Sequence, residues 1–299
     1  QSEILQLAER YPDVCFIPTT RNASAITGRN NPYLADLLFA LADAPEATVG
    51  IVNSDIVLEP STAWRTHLPQ LVHNAIVVAQ RLDVKSLTDG ALSRYHSGFD
   101  AFFFARDQVR QIATRAMPFA LGLPWWDYWL PLMFALSGNS IRCLTRPAAA
   151  HLFHDTAYQP GAWPQFALAL SEAVETEAPP SGAPVSPELS AIVDACRELN
   201  AQLRAKSLEY DDQENQVERL ALLCPDALRA EEIAIKMFPA VPSASADPHR
   251  ISPQTVFSQF DERTSAARAR GKSRAPLRNV AQRRSLSAVR AAPAAGPRC

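Results

Sequence analysis

The sequence predicts an α/β fold in which helices flank a mostly parallel sheet. Apolar runs of strand length alternate with longer helical patterns: a run at 14–20 precedes a helical pattern at 31–44, and a second run follows at 48–52. The order strand, helix, strand is typical of a parallel α/β sheet. The chain has 299 residues, 47% of them hydrophobic, so it is long enough to bury a core under such a sheet.

Each element follows from a local pattern. An apolar stripe predicts a helix over 1–10, and "VCFIPTT" at 14–20 predicts a buried strand. The segment "NPYLADLLFALADA" has a proline near its first turn and leucines along one face, which predicts an amphipathic helix. Further strands are predicted at 48–52, 75–80, 100–105 and 140–144.

Composition divides the chain into four parts. We expect an α/β domain over 1–175, a linker rich in Pro, Ser and Ala over 176–187, a small helical region over 188–262 and a disordered basic tail over 263–299. The helical region carries an apolar face but no recognisable chemistry, which is typical of an annex or a partner-docking module.

The basic tail differs from the rest of the chain in charge. Ten of the 29 basic residues and no acidic residue lie between Arg263 and Arg298, so the preceding part has 19 basic against 31 acidic side chains. A tail of this composition contacts anionic lipid or nucleic acid, or remains solvated and folds back on the acidic body. No aromatic residue interleaves its arginines, which disfavours nucleic-acid binding and leaves peripheral membrane contact and a solvated tail as the two alternatives.

The cysteines and the hydropathy pattern bear on location. Five scattered cysteines without a close pair indicate neither a disulfide framework nor a cysteine-based zinc site. No apolar run approaches the roughly 18 residues that a membrane helix needs, and the N-terminus does not resemble a signal peptide. We therefore expect a cytoplasmic protein.

A polar triplet, Asn53-Ser54-Asp55, interrupts the apolar stretch "VGIVNSDIVLEP" at the end of a predicted strand. In open parallel sheets ligands bind beyond the carboxyl ends of the strands, so Asp55 stands where a site is expected. The alternative is that Asp55 merely caps a turn. Four later segments also place ionisable residues beside strands or aromatic clusters: "RLD" at 81–83, "SGFDAFFF" at 97–104, "LPWWDYWLPL" at 123–132 and "HLFHD" at 151–155.

The order of these motifs resembles that of the GT-A class of nucleotide-sugar glycosyltransferases, in family-2-like members. A strand ends in a DxD-like triplet, and a Gly/Phe-rich acceptor segment, a Trp/Asp motif and a histidine near the end of the core follow; "GRNNPYLADLLFAL" resembles the helix start that precedes the triplet. The resemblance covers residues 11 to about 158. It implies a Rossmann-like GT-A sheet and transfer of a sugar from a nucleotide-diphosphate donor to a glycan or glycoconjugate acceptor, as in polysaccharide biosynthesis.

The resemblance also implies a metal site. A divalent cation that bridges a carboxylate and the donor phosphates neutralises charge on the leaving diphosphate. Asp55 is the expected ligand of Mn²⁺ or Mg²⁺, together with one histidine, for which His154 is preferred and His151 is the alternative.

Donor contacts are expected from four residues. Arg29, at an expected helix start, would add positive charge beside the phosphates, although a plain surface arginine fits its position nearly as well. Asn53 departs from the first acidic residue of a DxD motif and can hydrogen-bond a ribose or a metal-bound water. Ser54 and Arg81 complete the expected donor-binding set.

The acceptor half of the site is expected around Asp127. Apolar surface from Trp125 and Trp126 would raise the pKa of Asp127 and so suit it to act as the base that deprotonates the acceptor, while the two rings would stack on a sugar. Asp100 would hold the acceptor or order a loop. The alternative is that Asp127 only begins a helix and that the tryptophans belong to the core.

One departure from the GT-A pattern affects the functional expectation. The family opens with a strand that contacts the nucleoside base, whereas this sequence opens on what resembles the helix after that strand. We therefore weigh a glycosyltransferase against a non-catalytic, degenerate GT-A domain that acts as a binding module.

Overall fold

The computed structural model describes residues 2–19, 21–58, 63–85, 91–94, 98–116, 118–153, 162–180, 185–205, 210–228 and 231–233. The chain divides into two compact units, one of Gln1–Pro18 with His249–Cys299 and one of Thr19–Pro248. No helix in the described ranges is both long and apolar enough to cross a bilayer.

The described part of the first unit contains one helix, α1 (Ser2–Arg10), as predicted. The strand predicted at 14–20 is wrong: residues 14–19 form neither helix nor strand, and Val14 and Ile17 are exposed. An apolar run becomes a strand only where a neighbour completes its backbone hydrogen bonds, and Pro18 has no N–H to offer.

The second unit contains the sheet and the other helices that the structure describes. Its helices are α2 (Ser24–Thr27), α3 (Leu34–Ala42), α4 (Leu68–Leu71), α5 (Arg106–Ala113), α6 (Trp126–Leu136), α7 (Ala162–Glu177), α8 (Pro187–Ala205) and α9 (Tyr210–Ala227), with a 3₁₀ helix at Ala63–His67. Its strands are β1 (Thr48–Val52), β2 (Ile56–Leu58), β3 (Ala75–Val84), β4 (Ala91–Arg94), β5 (Ala101–Ala105), β6 (Ser140–Leu152) and β7 (Glu231–Ile233).

The sheet is mixed, which corrects the expectation of a mostly parallel one. Its strands follow the order β1-β5-β3-β6-β2, with β4 beside β3 and β7 beside β6. Among the described strands, only β3–β6 and β6–β7 are parallel pairs; β5 runs antiparallel to both of its neighbours. A fully apolar strand gives the same sequence pattern whether it runs parallel or antiparallel to its neighbours. The sequence therefore did not reveal the direction of β5 in the sheet.

Successive residues of β3 pack on opposite faces of the sheet. Ile76 and Val78 join a large buried cluster, while Val77 and Ala79 join a smaller one, as the two-residue period of a strand requires. Nearly the whole of α6 is buried in the large cluster, where its aromatic side chains contact phenylalanines from neighbouring segments.

Helices α7, α8 and α9 contribute side chains to the same large cluster. Phe166 of α7, Ile192 of α8 and Leu220 of α9 are buried there together with residues of α6 and the sheet. Helix α7 also continues to Glu177, beyond residue 175. Whether the helical region is a separate domain stays a prediction.

Candidate functional site

The polar triplet forms the turn between β1 and β2. The backbone N–H of Ile56 donates to the carbonyl of Asn53 across 3.1 Å, which closes the turn, and the N–H of Asn53 donates to the carbonyl of Asp100 across 3.0 Å. Ser54 is exposed at the tip, whereas the Asp55 side chain is only 24% exposed. The turn is thus fixed to the beginning of β5, with Asp55 directed inward.

Strand pairing brings Asp55 to His151 and Asp83. Strand β6 lies between β2 and β3, and its register sets His151 opposite Ile56 on one side and opposite Asp83 on the other. The His151 ring is buried, with Nε2 3.3 Å from Oδ2 of Asp55 and Nδ1 2.8 Å from Oδ1 of Asp83. One imidazole therefore joins two carboxylates, one from the β1–β2 turn and one from β3.

Arg81 continues this set of contacts back to the triplet. Its Nε donates to Oδ1 of Asp83 across 3.0 Å, and its Nη1 donates to Oδ1 of Asp100 across 3.1 Å. The same Asp100 oxygen accepts a 2.7 Å hydrogen bond from Nδ2 of Asn53. The contacts begin and end on one turn, and we call the set the polar ring; its members are Asn53, Asp55, Arg81, Asp83, Asp100 and His151.

Asp100 is buried and accepts hydrogen bonds from two other members of the polar ring. Burial raises its pKa, the nearby Arg81 charge and the Asn53 hydrogen bond oppose that rise, and the Asp55 charge adds to it. Its Oδ2 is buried and has no hydrogen-bond partner among the residues that the structure describes. Because a buried carboxylate oxygen without a partner is costly, this atom is suited to accept a hydrogen bond from a ligand or a water.

Asp127 lies beside the polar ring, in the first turn of α6. Its Oδ2 accepts a 3.4 Å hydrogen bond from the N–H of Phe99, the residue before Asp100. Burial, and then the negative charge of Asp100, raise the pKa of Asp127 to about 7, although backbone N–H groups of Phe99, Asp127 and Tyr128 act in the opposite direction. A carboxyl group with such a pKa can take up or release a proton near neutral pH.

Both tryptophans before Asp127 are buried, so neither ring is available to stack on a sugar as expected from the sequence. Trp125 has a φ of 71°, a left-handed conformation that is unusual for a bulky residue. Its Nε1 donates to the carbonyl of Trp163 across 2.9 Å, and its ring packs against Trp163. Trp126 packs on Phe102 of β5. These contacts fix the start of α6 and hence the position of Asp127.

Arg29 and Arg81, two of the residues expected to bind the sugar donor, have surroundings that differ from this expectation. Arg29 is exposed and follows α2 rather than beginning a helix, and it makes no contact with the polar ring among the described residues. Arg81 is engaged with Asp83 and Asp100, so its charge offsets two buried carboxylates instead of facing solvent.

The metal site predicted from the sequence can be tested against the donor atoms. His154 lies outside the described residues, whereas His151 contacts Asp55. No group of three His, Cys, Asp or Glu side chains in the described ranges is arranged to hold a metal ion. Asp55 and His151 nevertheless supply one oxygen and one nitrogen donor, and Asp83 holds the other ring nitrogen, as carboxylates commonly do for metal-binding histidines.

Sequence reasoning noted "RLD" but gave Asp83 no role in the site. Arg81 and Asp83 are two residues apart and therefore share one face of a strand whose other residues, Gln80 excepted, are apolar. His151, which contacts Asp83, lies 68 residues further along the chain. No local sequence pattern indicates that these two residues stand opposite each other in the sheet.

Fold and site together define an α/β protein with a cluster of carboxylates, one arginine and one histidine at the strand ends. Comparisons with protein-family models, with curated proteins and with solved structures found no match for this chain. Its function is therefore argued from the geometry of this cluster.

Proposed function

We propose that the protein is a metal-dependent glycosyltransferase of the GT-A class, which moves a sugar from a nucleotide-diphosphate donor to a glycan or glycoconjugate acceptor. One observation carries the proposal. The polar ring contains a paired carboxylate and imidazole, Asp55 and His151, and another of its members, Asp100, lies close enough to Asp127 to help raise the pKa of that carboxyl to about 7. Sugar transfer requires these two functions, charge compensation at the leaving diphosphate and a base at the acceptor hydroxyl.

Asp55 and His151 would hold the cation. Mg²⁺ is usually bound by one or two carboxylates together with substrate phosphates and waters, and Mn²⁺ also accepts imidazole, so two protein donors are compatible with either ion. When bound, the cation would neutralise negative charge on the leaving diphosphate. The exposed Ser54 hydroxyl, between Asn53 and Asp55, is suited to donate to the donor phosphates or sugar.

Asp127 would take the proton of the acceptor hydroxyl. Its carboxylate is held by the N–H of Phe99, so the base has a fixed direction. The partnerless Oδ2 of Asp100 is suited to accept a hydrogen bond from another hydroxyl of the acceptor. Asp100 belongs to the segment 99–100, and Asp127 is hydrogen-bonded to it. This shared segment would hold the acceptor-binding group and the base at a fixed distance from each other.

The metal part of the proposal is tested by thermal unfolding with Mn²⁺ and uridine diphosphate. We expect the two together to raise Tm more than either alone, because mass action stabilises the state that binds both. Asp55→Asn should remove most of this extra shift. Asp43→Asn, which changes an exposed carboxylate paired with Arg110, is the matched control and should keep it. An equal shift in all three proteins would exclude Asp55 from the cation site.

The base is tested with Asp127→Asn, which keeps the shape of the side chain and removes its basicity. Over a panel of nucleotide sugars, turnover should fall by roughly a hundredfold or more while donor affinity is retained. Asp107→Asn alters the acidic residue in the first turn of α5 and should leave turnover unchanged. Donor binding by the wild type without any transfer would instead favour the non-catalytic binding module.

A further inference from the structure

The two ring nitrogens of His151 are in unequal surroundings. Nδ1 is 2.8 Å from a carboxylate oxygen of Asp83, whereas Nε2 is 3.3 Å from one of Asp55. Oδ1 of Asp83 also accepts a hydrogen bond from Arg81, and two facing lone pairs would repel at 2.8 Å, so the short contact is that of an Nδ1–H group donating to Asp83. With the proton on Nδ1, the Nε2 lone pair faces Asp55, and a nitrogen and an oxygen 3.3 Å apart are spaced to bind one cation together.

Asp83 is itself held firmly. It is buried, its backbone pairs with that of His151 in the parallel β3–β6 ladder, and its Oδ1 accepts hydrogen bonds from both His151 and Arg81. A carboxylate fixed in this way sets the plane of the imidazole as well as the position of its proton.

We propose that Asp83 is a positioning residue, which keeps the proton of His151 on Nδ1 and directs the Nε2 lone pair at Asp55 to receive a divalent cation. The cation belongs to the proposed function, on which this part of the inference rests. The proton position is a property of the metal-free protein and can be measured independently.

The proton position is read by nitrogen NMR of the full chain labelled with ¹⁵N-histidine, at about pH 9 and without metal. The His151 signals are assigned by their loss in His151→Gln, with His73→Gln as the control at an exposed histidine. We expect a protonated Nδ1 and a bare Nε2 in the wild type and in Asp83→Asn, whose amide oxygen can accept the same bond. In Asp83→Leu the proton should redistribute to Nε2. A proton on Nε2, or on both nitrogens, in the wild type would overturn the proposal.

The cation arm uses calorimetric titration of Mn²⁺ in the presence of uridine diphosphate. Asp83→Leu should weaken Mn²⁺ binding by roughly 10- to 100-fold, the usual effect of losing a carboxylate behind a metal-bound histidine. In the His151→Gln background the same substitution should change affinity less than about twofold, because Asp83 acts only through the ring. Glu175→Gln is the control, since Glu175 also binds an amide and a guanidinium but lies outside the polar ring.

The outcomes separate this inference from the proposed function. If Asp83 controls the proton position but the wild type does not bind Mn²⁺, the positioning role stands and the metal-dependent function fails. If the wild type binds Mn²⁺ and Asp83→Leu weakens binding equally with and without His151, the positioning role is overturned and the function stands. If Asp83→Leu does not fold, Asp83→Asn is compared instead in the wild-type and His151→Gln backgrounds. A severalfold loss of Mn²⁺ affinity is then expected only when His151 is present.

Discussion

Burial and a neighbouring carboxylate oppose the negative charge of Asp127. Loss of water around its carboxyl group and the like charge of Asp100 outweigh three backbone N–H groups that favour the charge, so the native state retains a proton on Asp127 up to about pH 7. An unfolded chain releases the same proton near the ordinary value of 3.8. The native state therefore binds more protons than the unfolded state between these two values.

This difference predicts a pH dependence of stability. Because the native state binds the extra proton, the free energy of unfolding should fall as pH rises from about 4 to 7 and then level off. Asp127→Asn lacks this proton, so its stability relative to the wild type should rise over the same interval, on the order of 2 kcal/mol because Asp127 keeps partial solvent exposure. Urea unfolding of both proteins at several pH values measures this difference. A constant difference from pH 4 to 8 would show that Asp127 ionises as it does in water.

At the scale of single elements, local patterns predicted most of the strands but little of their direction and register in the sheet. The strands expected at 48–52, 75–80, 100–105 and 140–144 are confirmed, and the helix expected at 31–44 is present as α3. The sequence did not indicate that β6 continues to Leu152, although that extension carries His151 into the sheet. Register between strands depends on packing across the whole sheet, which explains why the Asp83–His151 contact escaped prediction.

The β1–β5 pair provides an element-scale prediction at Gly50. A Cβ added there would lie 2.5 Å from the carbonyl oxygen of Phe102 and 2.7 Å from Cδ1 of the Phe103 ring. Backbone cannot move away cheaply, so Gly50→Ala should destabilise the protein by about 2 to 4 kcal/mol. Gly138→Ala is the control: it has a positive φ but open space, and should cost about 1 kcal/mol. Urea midpoints compare the two, and equal losses would mean that β1 and β5 do not approach this closely.

At the scale of the whole molecule, polar contacts join α7 and α8, which both also contribute side chains to the large buried cluster. The Ser171 hydroxyl donates to Oδ1 of Asn200 across 2.9 Å, and Nδ2 of Asn200 donates to Glu175 across 2.8 Å. Arg204 forms two hydrogen bonds to the same Glu175 carboxylate. Because the buried members are satisfied by one another, separating the two helices would leave polar groups without partners.

Shared packing of this kind predicts that the helical region and the α/β part unfold together. Ile192 of α8 is fully buried, so Ile192→Ala should destabilise by about 2 to 4 kcal/mol, whereas Leu222→Ala, at a 75% exposed position of α9, should cost less than about 0.5 kcal/mol.

All five tryptophans precede residue 176. Their fluorescence therefore reports on the α/β part, while circular dichroism reports on all helices.

In Ile192→Ala we expect both signals to shift to the same lower urea midpoint, because one cooperative unit has a single transition. An independent helical domain would behave differently, since the tryptophan transition would keep its wild-type midpoint and only part of the helical signal would be lost early. That second pattern would support a domain boundary near residues 176–187. Coincident transitions would instead make α8 and α9 part of the structure that supports α6 and, through α6, the position of Asp127.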